Sequence, residues 1–147
     1  CRARAAAGGP LPARLEGNPL KRPVRDPPRL YVKNVLAALQ QHPIKALAHI
    51  TGGGLLENIP RVLPEGTAAR LKAGSWPRTE LFAWLQKTAA ISDIEMNRTF
   101  NNGIGMVVVV PADAAEATAA TLRALGEAVY AIGTIAERGT GPAVVVG

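Results

Sequence analysis

The sequence predicts an α/β (α+β) fold in which helices pack on a mixed sheet. Three observations carry this. Apolar residues recur at helical spacing in Val32, Val35, Leu36 and Leu39, and again in Leu81, Phe82, Trp84 and Leu85. Two apolar stretches, Ile44 to Ile50 and Met106 to Val110, lack that period and read as strands. Turn residues separate the segments, so that helix and strand alternate along most of the chain.

Taken in order, the first amphipathic helix is ended by Pro43 and followed by the strand Ile44 to Ile50. A glycine loop leads into a short helix from Leu55. Pro64-Glu65-Gly66 marks a turn, and Ala68 to Leu71 reads as an edge strand. The second amphipathic helix comes next. Ser92-Asp93-Ile94-Glu95 has the spacing of a capping box and starts a helix to about Arg98. Thr99 to Gly103 is then a loop. Met106 to Val110 shows no alternation, which predicts burial on both faces. Asp113 and Glu116 are expected to cap a helix running through Leu122 and Leu125 to Gly126. Ala128 to Ile135 and Ala143 to Val146 read as the last two strands.

The chain has 147 residues, 48% of them hydrophobic, enough for one domain with a real core. No apolar run approaches the roughly 18 residues of a membrane span, and no signal-peptide pattern stands at the N-terminus. Cys1 is the single cysteine, so an internal disulfide is excluded and a reducing, cytoplasmic setting is expected. It stands where a starting Met is expected, which reads as part of something longer. The net charge of +6 is unevenly placed: residues 1–33 hold eight basic and two acidic side chains, residues 34–147 nine of each. The body is neutral. Residues 1–28 form a basic leader rich in Pro, Gly and Arg, and 29–147 the domain. The leader lacks interleaved aromatic residues, so nucleic-acid binding is not expected.

The most informative residues are His49-Ile50-Thr51-Gly52-Gly53-Gly54, at the junction of a strand and a helix. Glycines there leave main-chain N–H groups open to a ligand, and an opening helix points its unpaired donors at the same place. That arrangement holds phosphate. The plain alternative is a flexible turn. No Lys follows the glycines, so the loop is not a Walker A motif, and the spacing is not that of a dinucleotide fingerprint. Thr51 adds a hydroxyl, Asn58 an amide and Arg61 a planar fork suited to phosphate.

The block Ala48 to Pro64, together with Trp76-Pro77, Phe82-Ala83-Trp84-Leu85-Gln86 and Glu95 to Met106, carries a resemblance. Arg29-Leu30-Tyr31-Val32-Lys33 and Ala131-Ile132-Gly133 support it. The chain resembles the C-terminal domain of phosphoribosylformylglycinamidine cyclo-ligases, the AIR synthetases of purine biosynthesis, over roughly Leu15 to Gly147. The resemblance implies an ATP-dependent ligase that closes the imidazole ring of aminoimidazole ribonucleotide. It also implies ATP and Mg²⁺ held mainly by an N-terminal domain not in this sequence, a homodimer, and an inactive fragment.

Individual residues keep two readings. His49 is either a core histidine satisfied by the backbone or a proton-handling, substrate-orienting group, and the resemblance favours the second. Thr51, Gly52, Gly53 and Gly54 are expected to bind anion or substrate. Asn58 is a ligand or a helix-turn residue, and Arg61 a phosphate contact or a surface arginine. Asn101 and Gly103 lie on a loop entering a strand, either in the site or in a turn that needs positive φ. Trp76, Phe82 and Trp84 are expected in the core. No histidine, cysteine or acidic spacing fits a metal site. Two other functions stay open: a sister enzyme of the selenophosphate synthetase or thiamine-phosphate kinase type, and a non-catalytic phosphate-binding module.

Overall fold

A computed structural model describes residues 31–147. The predicted leader 1–28 lies outside the described residues. Helix α1 (Val32–Leu39) leads to β1 (Ala46–His49), α2 (Gly54–Asn58) and a 3-10 turn, Pro60–Val62. Then come β2 (Thr67–Leu71), α3 (Glu80–Ala89), α4 (Asp93–Thr99) and β3 (Met106–Val109). A second 3-10 turn, Ala112–Ala114, precedes α5 (Ala115–Ala124), β4 (Gly133–Glu137) and β5 (Val144–Val146). The α/β class is as predicted, with the strands divided between two sheets.

In the first sheet β1 and β3 pair antiparallel, Ala46 opposite Val109 and His49 opposite Met106. The second has the order β4-β2-β5, with β2 antiparallel to β4 and parallel to β5, and is therefore mixed. Strand β2 is thus central and not the edge strand expected from Ala68 to Leu71. Its small residues are the reason: Ala68 and Ala69 are buried where a neighbour passes closely on each side. The expected burial of Met106 to Val110 on both faces also fails. Only Val107 of that run is buried, and among the described residues β3 pairs with β1 alone.

Ala128 to Ile132 do not form strand as predicted, and β4 starts at Gly133. A Cβ there would collide with the Arg70 carbonyl oxygen, so a glycine begins the ladder. Asp113 falls in the 3-10 turn and does not cap α5, whose N-cap Ala114 has no side-chain acceptor. Glu116 lies in the first turn of α5 and pairs with Arg123 at 2.8 Å. Of the expected capping box the Ser92 half forms, its Oγ accepting from the Glu95 N–H at 3.3 Å, while the Glu95 carboxylate accepts from Arg98 at 2.6 Å.

The core gathers Ala48, Ile50, Leu55, Ile59, Ala69, Leu71, Trp76, Ile104, Val107 and Val144, joining both sheets to α2. Trp76 belongs to it as expected. Phe82 and Trp84 are only half-buried, because α3 buries no residue fully; Phe82 instead leans on Phe100, ring centres 5.7 Å apart. Helix α1 packs Val35 and Ala38 toward Thr118 and Leu122 of α5. The two helices are pinned where His42 Nε2 meets Thr121 Oγ1 at 2.7 Å. Among the described residues no helix is long and apolar enough to cross a membrane.

Candidate functional site

The pairing of β1 with β3 decides where the site lies. His49 ends β1 opposite Met106, which begins β3, and the Ile50 N–H donates to the Gly105 carbonyl at 2.9 Å. The loop leaving β1 and the loop entering β3 therefore emerge side by side. Sequence reasoning placed candidates on both loops, and the ladder brings them together.

The first loop is shaped from behind by Asn58. This residue is buried at the end of α2, and its Nδ2 donates to the carbonyls of Gly54 at 2.8 Å, Gly52 at 3.2 Å and Thr51 at 3.4 Å. Its Oδ1 accepts from Arg61 Nη1 at 3.3 Å. With the carbonyls drawn inward, the N–H groups of Gly52 and Gly53 find no acceptor among the described residues. Thr51 and Gly52 are exposed, and so is the body of Arg61.

The three glycines differ. Gly52 has no positive φ, and a Cβ there would meet nothing within 4 Å. Gly53 has φ +94°, a conformation that only glycine takes up readily. Gly54 has φ +53°, and a Cβ there would collide with the Asn97 carbonyl oxygen and come within 2.6 Å of that of Phe100. Its N–H is spent on the Thr51 carbonyl at 3.0 Å. Gly54 is thus a packing glycine that lets α2 touch the end of α4, and its amide is not open to a ligand.

The second loop locks itself. Asn101 Oδ1 accepts from the Gly103 N–H at 3.2 Å, and the Asn101 carbonyl accepts from the Ile104 N–H at 2.9 Å. Gly103 takes φ +94° and Asn102 φ +50°. The Asn102 carbonyl accepts from the Trp76 indole at 3.0 Å, and its Nδ2 donates to Asn97 Oδ1 at 2.7 Å. Its own Oδ1 is buried with no partner among the described residues.

His49 is exposed at the strand end and not a core histidine. Its ring meets that of Tyr31 edge-on, centroids 6.4 Å apart. Tyr31 was missed as a site residue. It lines a cavity of about 200 Å³ with Gly103, Gly105, Met106, Glu127 and Tyr130, next to the loops. Gly105 was the signal available in the sequence, since a Cβ there would collide with Tyr31 Oη. Among the described residues no group of His, Cys, Asp and Glu is placed to hold a metal ion.

Residues 4–146 match the family described as AIR synthase related protein, C-terminal domain. The chain belongs to this family. It is 75% identical over 141 residues to a phosphoribosylformylglycinamidine cyclo-ligase of Polaromonas, covering 96% of this chain and 41% of that protein. Enzymes of the same name from Albidiferax ferrireducens and Bordetella avium are 74% and 54% identical, covering 95% and 88% of this chain and 40% and 38% of theirs. The chain thus spans about two-fifths of the length of these relatives. Among solved structures, Escherichia coli HypE superposes with a TM-score of 0.61 at 20% identity, over 80% of this chain and 35% of that one. That likeness is one of fold.

Proposed function

We propose that this AIR synthase C-terminal domain is the substrate side of an ATP-dependent cyclo-ligase that converts formylglycinamidine ribonucleotide to aminoimidazole ribonucleotide. In that reaction the formyl oxygen is phosphorylated, an amidine nitrogen attacks the activated carbon, and phosphate leaves. The observation that carries the reading is the Asn58 clamp, which engages the loop carbonyls and leaves the Gly52 and Gly53 N–H groups without an acceptor among the described residues. Thr51 Oγ1 and Arg61 add a hydroxyl and a guanidinium, together a donor set fitted to a phosphate group of substrate or nucleotide.

In this reading Asn58 positions the loop and Arg61 and binds no ligand itself. His49, exposed beside Tyr31, orients the amidine or carries its proton. Asn101 and Gly103 hold the neighbouring wall. The domain offers no acidic cluster for Mg²⁺ among its described residues, so the metal and most of the ATP contact fall to the remainder of the longer enzyme. That enzyme is a cytoplasmic homodimer on this proposal, and the present chain alone does not turn over.

Gly52→Val in the full-length enzyme tests it. The expected result is a KM for substrate or ATP raised about tenfold, roughly one lost charge-assisted hydrogen bond, with an unchanged melting temperature. Unchanged kinetics would remove the loop from the site. Gly52 is the position to use, since valine at Gly53 would be strained at φ +94° whatever binds there.

A further inference from the structure

A second concavity is lined by none of residues 49–54. It is a groove of about 810 Å³ between α4 and β5. Its lining includes the buried Trp76 and Val144 and the half-buried Leu56 and Val146. Ile94 from α4 and Val145 from β5 stand on it 63% and 39% exposed, large apolar side chains without cover. The volume lies in the range of small-molecule sites.

Its polar groups are few, and one of them is unpaired. Asn97 is only 6% exposed and lines the groove. Its Oδ1 is taken by Asn102, while its Nδ2 has no acceptor among the described residues. Exchanging the two ends of the amide leaves one of them unpaired all the same. The Asn97 nitrogen is not sealed from solvent, so it stands as a donor at the groove. Arg98 follows one residue on. It spends one contact on Glu95 at 2.6 Å, and a guanidinium has five donors. Asp93 on the same rim is held ionised by hydrogen bonds from Gln86 and Arg78, and the Arg78 guanidinium at 3.4 Å offsets its charge.

We propose that this groove binds a small molecule made of a flat aromatic ring and an anionic group, beyond the function assigned to the glycine loop. The ring lies on Leu56, Trp76 and Val144, between Ile94 and Val145, and turns a hydrogen-bond acceptor to Asn97. The anion meets Arg98. Two sources share this chemistry, nucleoside monophosphates and aromatic carboxylates.

Side-chain and indole resonances of the 147-residue chain in ¹H–¹⁵N spectra decide, with adenosine 5′-monophosphate, indole-3-acetate and inorganic phosphate as probes. One or both ring-bearing anions should shift the Asn97 amide and the Trp76 indole saturably, and which one does names the source. Asn97→Leu and Val145→Glu should each weaken binding about tenfold or more, by losing one hydrogen bond or filling the groove. Val145 is exposed, so the second variant keeps the test valid if the first does not fold. Absence of shifts with both ring compounds, the same shifts with phosphate alone, or undiminished binding by Val145→Glu would overturn the proposal.

Discussion

The two loops at the end of the β1–β3 ladder use the same residue types to opposite effect. In Thr51 to Gly54 a side chain from outside the loop, Asn58, collects the carbonyls, and two main-chain N–H groups are left without an acceptor among the described residues. In Asn101 to Gly105 the asparagines serve the loop itself: Asn101 caps its own turn, and Asn102 is buried at positive φ beneath the Trp76 indole. Glycine and asparagine therefore do not mark a ligand site by their presence. What matters is which backbone groups their conformation consumes. Gly54 of the first loop packs against the carbonyls of Asn97 and Phe100, at the end of α4 just before the second loop.

The sharpest way to break this contrast is at that contact. Gly54→Ala should destabilise the domain by about 3 kcal/mol or more, from a left-handed backbone and a Cβ driven into main-chain atoms that cannot rotate away. Chemical denaturation would measure it, and a loss below about 1 kcal/mol would mean the loops are not packed as described. Next comes Asn58→Leu, which abandons three loop carbonyls and should cost about 2 kcal/mol. It should also speed amide exchange at Gly54 more than at Gly103. Equal acceleration at both would show that the loops are not separately supported.

Trp76→Phe probes the second loop alone. It removes the indole bond to the Asn102 carbonyl and should cost about 1 kcal/mol, leaving exchange at Gly54 unchanged. Gly52→Ala should change stability by less than about 0.5 kcal/mol, because it meets open space at an ordinary φ. The contrast between Gly52 and Gly54, two residues apart, is the most economical test of which glycine serves folding.

The smallest expected effect concerns pH. Hydrogen bonds from Gln86 and Arg78 lower the Asp93 pKa in the folded state below its unfolded value. The group thus binds fewer protons folded than unfolded as pH falls through that window, and its contribution is lost on acidification. Present above the ordinary carboxylate pKa, it should vanish as pH drops through the lowered folded value. Asp93 is exposed, so solvent screens the interaction, and Asp93→Asn should flatten only a shallow part of the acid limb of the stability curve.

Local pattern made much of this molecule readable. The spacing of Val32, Val35 and Leu39 marks α1, Ser92 with Glu95 marks the start of α4, and Gly66 with φ +76° turns the chain into β2. Each signal acts within one helical turn or one tight turn, where sequence neighbours are also spatial neighbours. The strand–glycine–helix junction at positions 49–61 was legible for the same reason. The central place of β2 was not, since small residues suit a crowded interior and a thin edge alike, and only the partners β4 and β5 distinguish them. Asn97 and Asn102 went unnoticed because their amides meet each other inside the fold, and nothing in their local context signals burial.

The sequence by itself determined the class of fold, the glycine junction after β1 and the charged and apolar faces of the helices, because these follow from propensity and period over a few residues. Tertiary structure alone decided which amides remain open. A hydrogen bond has a fixed number of partners, and whether a given N–H is spent depends on what the fold brings against it: Thr51 for Gly54, nothing for Gly52 among the described residues.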